Sequence, residues 1–434
     1  MNKILLIKRS LSRKFSLLFN DFIPIIFFGM AQTTAFVAAI IRIPIAIHGI
    51  GIYGFGLSMV IMQSFGILSL ATGASRLYTR SLISESHKDE WFSSFSKILS
   101  KSISVSIFFQ SGAFLILFLV YRSNSLSFLG LGSTDCVMII ALMVLYLGNS
   151  LILGAAIGYC DVLGLYNRIL LSDIITSVVS IPAVAILVWI EADIAFYIFV
   201  FSLTFTFPGI YALILIKKKN PFLFKLQKPD FNFAKSLFLS GGQGLGMVLS
   251  TNFDLIIYTG IRGLDQASLF SITSKFAGII NAPSSALAPK QWTTFGRLRL
   301  NRVGSEFIKK QLLRYQLVNT SISIVIFVII GFIAKYGLSY VSNGELTYNL
   351  NLYIVMGLTQ LALSVYATMF AAFSGEIGKK HAWKISVIIG LVNLLLTISL
   401  TFYFGIYGPG IASFIAFSFG AVLFFKSNKS YMEN

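Results

Sequence analysis

The stretch "TNFDLIIYTGIRGLDQASLFSITSK" occupies Thr251–Lys275. It reads as the end of one apolar helix, a short turn at Gly263–Leu264, and the start of a second. Each helix carries one charge. Asp254 lies ten residues before Leu264 and Lys275 eleven after it. In two antiparallel helices that share a turn, those positions fall at about the same depth. A charge at the centre of a bilayer costs on the order of 3 kcal/mol, so both need a polar surrounding. Two surroundings fit the spacing. One is an ion pair between the helices. The other is a shared wet cavity, where Asp254 takes up a proton or Na⁺ and Lys275 meets an anion.

The rest of the chain supports a membrane setting. Apolar residues make up 56% of the 434 and charged residues 12%, with a mean hydropathy of +0.82. A soluble domain carries about 25% charge. Apolar runs of about twenty residues recur throughout, continuous rather than alternating, which predicts transmembrane helices and not a β-barrel. We place spans at 22–41, 52–74, 102–121, 136–157, 169–189, 195–216, 236–258, 266–288, 315–334, 349–371, 384–404 and 408–425. The chain is thus expected to be an all-α polytopic membrane protein of about twelve spans. The first span follows a basic tail and lacks a small-residue cleavage site, so it is expected to be retained.

Charge sets the orientation. Of the 34 Lys and Arg, 29 fall in the termini and in the loops on their side. The opposite loops hold only Arg42, Arg122, Arg262 and Lys335. That asymmetry predicts cytoplasmic termini and accounts for the net charge of +18 without nucleic acid. The opposite loops are short and leave no room for a soluble catalytic domain. Two stripes in the basic loops, Trp91, Phe92, Phe95, Ile98 and Leu99, and more weakly Leu300, Val303, Phe307, Ile308 and Leu312, read as amphipathic helices lying at the membrane surface.

The chain also repeats itself. "HGIGIYGF" after the first span resembles "RGLDQASLF" after the seventh, and "DVLGLYNR" after the fourth resembles "GEIGKKHAW" after the tenth. Gly49 and Gly263, and Gly164 and Gly378, share one offset of 214. Two parallel six-helix halves follow: 1–216, then a cytoplasmic linker 217–235, then 236–434. Transporters built from such repeats hold substrate between the halves.

Polar stripes mark the helices that would line that space. They are Gln32, Thr33 and Thr34 in span one, Met59, Gln63 and Gly66 in span two, Gln243, Ser250, Asp254 and Tyr258 in span seven, and Ser271, Lys275, Gly278, Asn281 and Ser285 in span eight. Such stripes face protein or water rather than lipid, and helix packing explains the small and hydroxyl residues equally well. Gln32, Gln243, Asn281 and Lys275 are the expected substrate contacts. Arg42 and Arg262, at the outer ends of spans one and seven, would add positive potential, or anchor the helices at the headgroups. "GGQGLG" (241–246) reads as a packing patch. Cys136 and Cys160 bracket one span, about 36 Å apart along a helix, too far for a disulfide. His48, His87 and His381 lie in separate loops with no metal spacing. No nucleophile–base pair and no nucleotide-binding motif occurs, so neither an enzyme nor a cofactor is expected.

The "IYG" after span one, "DLII" with its following glycine in span seven, and the glycine with basic residues after spans four and ten resemble bacterial polysaccharide flippases. These are the Wzx-like O-antigen flippases of the multidrug/oligosaccharidyl-lipid/polysaccharide export (MOP) superfamily. The resemblance spans nearly the whole chain. It implies a V-shaped transporter in the bacterial inner membrane that moves a polyprenyl-pyrophosphate-linked oligosaccharide outward, coupled to H⁺ or Na⁺. It further implies membrane lipids as surroundings, and the polymerase and chain-length regulator of the same pathway as partners. Lys275, Arg42 and Arg262 would then be the cationic residues and Asp254 the coupling residue. Span one departs from some relatives in carrying no charge at mid-membrane. The alternatives are a multidrug-and-toxin extrusion (MATE) antiporter, which would favour acids inside, and a membrane polymerase or acyltransferase. The first of those enzymes would need a long outward loop with arginines, and the second a histidine with a partner acid.

Overall fold

A computed structural model describes residues 2–84, 88–122, 133–219, 230–242, 245–264, 266–300, 304–342, 344–373 and 379–432. These are helical nearly throughout. In order they form α1 (Asn2–Ser84), α2 (Trp91–Arg122), α3 (Ser133–Val162), α4 (Tyr166–Trp189), α5 (Ile194–Lys219), α6 (Phe231–Gly242), α7 (Leu245–Arg262), α8 (Ala267–Gly278), α9 (Ala282–Leu300), α10 (Ser305–Val341), α11 (Leu350–Phe373), α12 (Lys379–Phe404) and α13 (Gly408–Met432). Among the described residues, seven stretches are long and apolar enough to cross a membrane.

The first two expected spans are the arms of α1. The helix breaks at Gly51, where φ is 70° and ψ 168°, a backbone that a side chain would strain. The turn glycine is thus Gly51, two residues beyond the Gly49 matched by the repeat. Its counterpart between α7 and α8 is Gly263, with φ +84°. Span seven holds α6 and α7, and residues 243–244 between them lie outside the described residues. Span eight splits into α8 and α9 around a 3₁₀ turn at Ile279–Asn281, just before Pro283, whose ring cannot continue a regular helix.

Buried side chains form three large cores at two levels. One lies at the end of the molecule away from the basic loops. It joins both halves: Ile43, Ala46, Ile47 and Phe55 of α1 and Val184 and Leu187 of α4 share it with Leu255 and Tyr258 of α7, Phe270 and Phe276 of α8, and Leu338 and Val341 of α10. Ser268 of α8 also donates to the Ile52 carbonyl of α1 at 2.7 Å. The basic end has two separate cores. Ile83, Phe95, Ala155, Tyr159 and Ile216 belong to that of the first half, and Phe295, Leu312, Tyr366, Ile389 and Phe424 to that of the second. The halves therefore meet at the far end and part toward the basic end, which makes the V.

Two expectations change here. Phe95, Ile98 and Leu99 are buried in the first half's core, with Phe95 stacked on Tyr159 at 4.3 Å. Ile308 and Leu312 are likewise buried in the second half's core. Periodicity identifies an apolar face, but not whether lipid or protein covers it. Val303 lies outside the described residues. Phe233 and Leu237 of α6 pack into the core of the first half, where Lys101 pairs with Asp230 at 2.7 Å and Tyr78 meets Phe233 edge-on at 5.4 Å.

Candidate functional site: a cationic cavity between the halves

Between the arms of the V lies a cavity of about 1580 Å³. Its walls come from both arms of α1, from Phe201 of α5, and from α7 to α11. Gln32, Thr33 and Gln63 line it from α1, Thr251 and Asn252 from α7, and Ser271, Ser274 and Lys275 from α8. Gln311, Arg314 and Tyr315 line it from α10. Among the described residues that line it, the charged ones are Arg42, Lys275 and Arg314, and none is Asp or Glu.

The sequence of α8 explains why Lys275 points inward. Ser271, Ser274, Lys275 and Gly278 fall on one face, and that face lines the cavity. Phe270, Ile272, Phe276 and Ala277 fall on the other and are buried in the far-end core. The core side fixes the rotation of the helix, and Lys275 stays exposed to the cavity. It makes no ion pair with a described residue. Arg42 lies near enough to repel it. The Arg42 guanidinium donates from Nη1 to Ser180 at 2.8 Å and lies 4.8 Å from the centre of the Phe201 ring. Its Nε is buried with no hydrogen-bond partner among the described residues. Arg42 and Lys275 therefore hold donors and charge free for an anion at the closed end of the cavity. Arg314 sits toward the open, basic end.

Asp254 faces elsewhere. It is 7% exposed and lies outside the cavity lining. Its Oδ1 accepts from Asn393 Nδ2 at 3.2 Å and Thr397 Oγ1 at 3.1 Å, both on α12. Its Oδ2 accepts from Ser413 Oγ of α13 at 2.7 Å. No ion pair joins Asp254 to Lys275. The two helices leave their common turn at matching depth but are rotated differently. On α7 it is Thr251 and Asn252 that face the cavity, while Ser250, Asp254 and Tyr258 are buried. Asp254 thus has three polar donors and no cation, inside the second half.

Arg262 also lies away from the cavity. Its Nη2 donates to the Phe402 carbonyl at 2.6 Å and to Thr401 at 3.3 Å, the last carbonyls of α12. A cation there satisfies orphan acceptors and complements the helix dipole. Asn281 sits in the 3₁₀ turn, its Oδ1 buried without a partner among the described residues, and is not part of the lining. Gln243 lies outside the described residues. The small-residue patch does pack closely: a Cβ on Gly246 would collide with the Ser386 carbonyl of α12, and Gly246 N donates to Ser386 Oγ at 2.9 Å. Arg314, Gln311 and Asn252 were not anticipated as site residues. Arg314 sat among seven basic residues of one loop, and only the length of α10 carries it into the cavity.

Residues 24–290 match the family described as polysaccharide biosynthesis protein. No curated protein sequence matches the chain. In fold the chain is similar to an inward-facing multidrug resistance MATE family transporter of the MOP superfamily, with a TM-score of 0.69 at 13% identity over 94% of this chain and 98% of that one. The outward-facing form of such a transporter gives 0.63 at 15% identity, over 95% and 94%. A MOP superfamily transporter from Pyrococcus furiosus, described as having a binding pocket of reverse polarity that suggests a different function, gives 0.64 at 14%, over 95% and 94%.

Proposed function

The chain belongs to the polysaccharide biosynthesis protein family, and from that premise we propose that it is a flippase for a polyprenyl-pyrophosphate-linked oligosaccharide. It carries this O-antigen or capsule repeat unit from the cytoplasmic to the periplasmic leaflet of a bacterial inner membrane. The observation that carries the reading is the cavity wall, with Arg42, Lys275 and Arg314 and no acid among its described residues. A diphosphate is strongly anionic and hydrogen-bonds well to guanidinium and ammonium groups in a partly desolvated site. The amides and hydroxyls around them, such as Gln32, Gln63 and Asn252, suit the sugars. An organic cation would meet only like charge here, which weighs against drug export.

The cycle follows from the cores. With the basic end cytoplasmic, as the charge asymmetry favours, the cavity is open to the cytoplasm and the far-end core closes it to the periplasm. The halves 1–216 and 236–434, joined by the linker 217–235 and with α6 seated on the core of the first half, rock so that the far end opens and the basic end closes. Asp254 is the coupling residue. Loading its carboxylate with H⁺ or Na⁺ alters how α7 packs on α12 and α13, and so biases the rocking. The polymerase and chain-length regulator of the pathway act on the product.

Deleting the gene in cells with no second flippase tests this. The lipid-linked repeat unit is expected to accumulate on the inner leaflet. Delivery to the outer leaflet at the normal rate would refute the proposal.

A further inference from the structure

We propose that the cavity face of α10 is the track for the isoprenoid chain of the cargo, and that it makes the transporter require a lipid-linked rather than a free sugar. This rests on the flippase reading. One face of α10 lines the cavity and changes character along its length. Gln311 and Arg314 stand at the open end, followed by Val318, Ile322, Ile326 and Ile330. At 1.5 Å per residue the exposed apolar part, Val318 to Ile322, runs about 6 Å, and Ile326 and Ile330 continue it into the far-end core. The walls from α1, α7 and α8 carry the cations and amides, so the cavity has one polar side and one apolar strip. A free sugar diphosphate would use only the first.

The outer part of the strip is not a packing surface: Val318 is 43% exposed and Ile322 44%, although a β-branched residue used for helix packing would be covered. Beyond them Ile326 packs against the far-end core and Ile330, buried, belongs to it. The strip is also continuous with the bilayer. On the adjoining flank of the helix Leu317, Val325 and Ile329 are exposed, and across the cavity α1 presents Val37, also exposed. An apolar chain therefore passes from lipid onto the strip over Leu317, Val325 and Ile329, while its diphosphate reaches the cationic wall. Ordinary phospholipid tails fit the strip too, but their head groups carry a single phosphate, whereas the neighbouring Arg42 and Lys275 suit two.

The test uses proteoliposomes and two cargoes, the same oligosaccharide diphosphate on a long polyisoprenoid and on a short, water-dispersible prenyl group. Val318→Thr combined with Ile322→Thr keeps the branching and removes apolar surface from the exposed part of the track. Long-chain transport is expected to fall about tenfold, with short-chain transport and thermal midpoint changed little. Ile329→Thr makes the same chemical change on the lipid-facing flank and is expected to leave long-chain transport intact. Unchanged long-chain transport overturns the proposal. So does an equal loss for the short chain, which would make the residues packing, or an equal loss in Ile329→Thr. If the native protein moves neither cargo, the flippase reading itself fails.

Discussion

Asp254 and Lys275 lie on consecutive helices at matching depth, yet the protein treats them oppositely. Asp254 is buried within one half and accepts three hydrogen bonds from Asn393, Thr397 and Ser413. Lys275 is open to the cavity and has no described partner. The first is held by the fold and the second is held for something else. A charge at mid-membrane thus has two solutions in one hairpin, internal solvation by neutral dipoles and exposure to a wet cavity. Substitutions at the two sites should therefore fail in different ways.

Lys275→Glu should give the largest effect. It reverses charge at the closed end of the cavity, beside Arg42, and transport of the lipid-linked oligosaccharide should fall about a hundredfold. Membrane insertion and thermal midpoint should hold, because no native partner is lost. A large drop in stability would mean that Lys275 is structural after all. Asp254→Ala should do the reverse. It strands the Asn393 and Thr397 donors, while Ser413 keeps the Ser250 carbonyl and Asn393 Oδ1 as acceptors, and should destabilise by about 2 kcal/mol, read from thermal unfolding in detergent. Asp254→Asn, of nearly the same shape, should keep most of that stability and lose the dependence of transport on an ion gradient. A double-mutant cycle of Asp254→Asn and Lys275→Ala sharpens the contrast. Without an ion pair, their effects on stability should add to within about 0.5 kcal/mol. A larger coupling would mean that the two charges meet.

The comparison also marks how far the sequence reaches. The apolar runs, the Lys/Arg asymmetry and the turn at Gly263 were legible, because each depends on composition or on one backbone angle. The stripe Ser271–Lys275–Gly278 was legible as a cavity wall. The stripe Ser250–Asp254–Tyr258 has the same period and a similar composition, yet faces α12 and α13. Period reports that a face needs a polar or protein partner, but not which one, since the partners arrive from residues 393–413. Arg262 illustrates the same gap: its carbonyl acceptors on α12 lie about 140 positions away. Arg314 was hidden for a different reason, since one arginine among seven basic residues looks like any loop charge.

Arg262→Ala accordingly belongs lower on the scale. It should loosen the end of α12 by about 1 kcal/mol and leave the apparent affinity for cargo unchanged. A clear rise in KM would return Arg262 to the substrate path. The smallest effect is expected at Asp230, outside the membrane. The hydrogen bond from Lys101, with the backbone amides of Phe233 and Asn232, holds its carboxyl below the usual value. A carboxyl depressed in the folded state stabilises above its unfolded value near 4, and that contribution is lost as pH falls through the folded one. Asp230→Asn should therefore lower the thermal midpoint slightly at neutral pH, and the difference from the native protein should disappear in strong acid.

The most direct measurement places the purified protein in sealed vesicles with a fluorescent polyprenyl-diphosphate oligosaccharide and follows its passage between leaflets. The native protein should move it, Lys275→Gln should not, and an organic cation should neither be moved nor compete. Movement of the cation in preference to the lipid-linked sugar, or full activity in Lys275→Gln, would contradict the assignment of the cavity to an anionic, lipid-linked cargo.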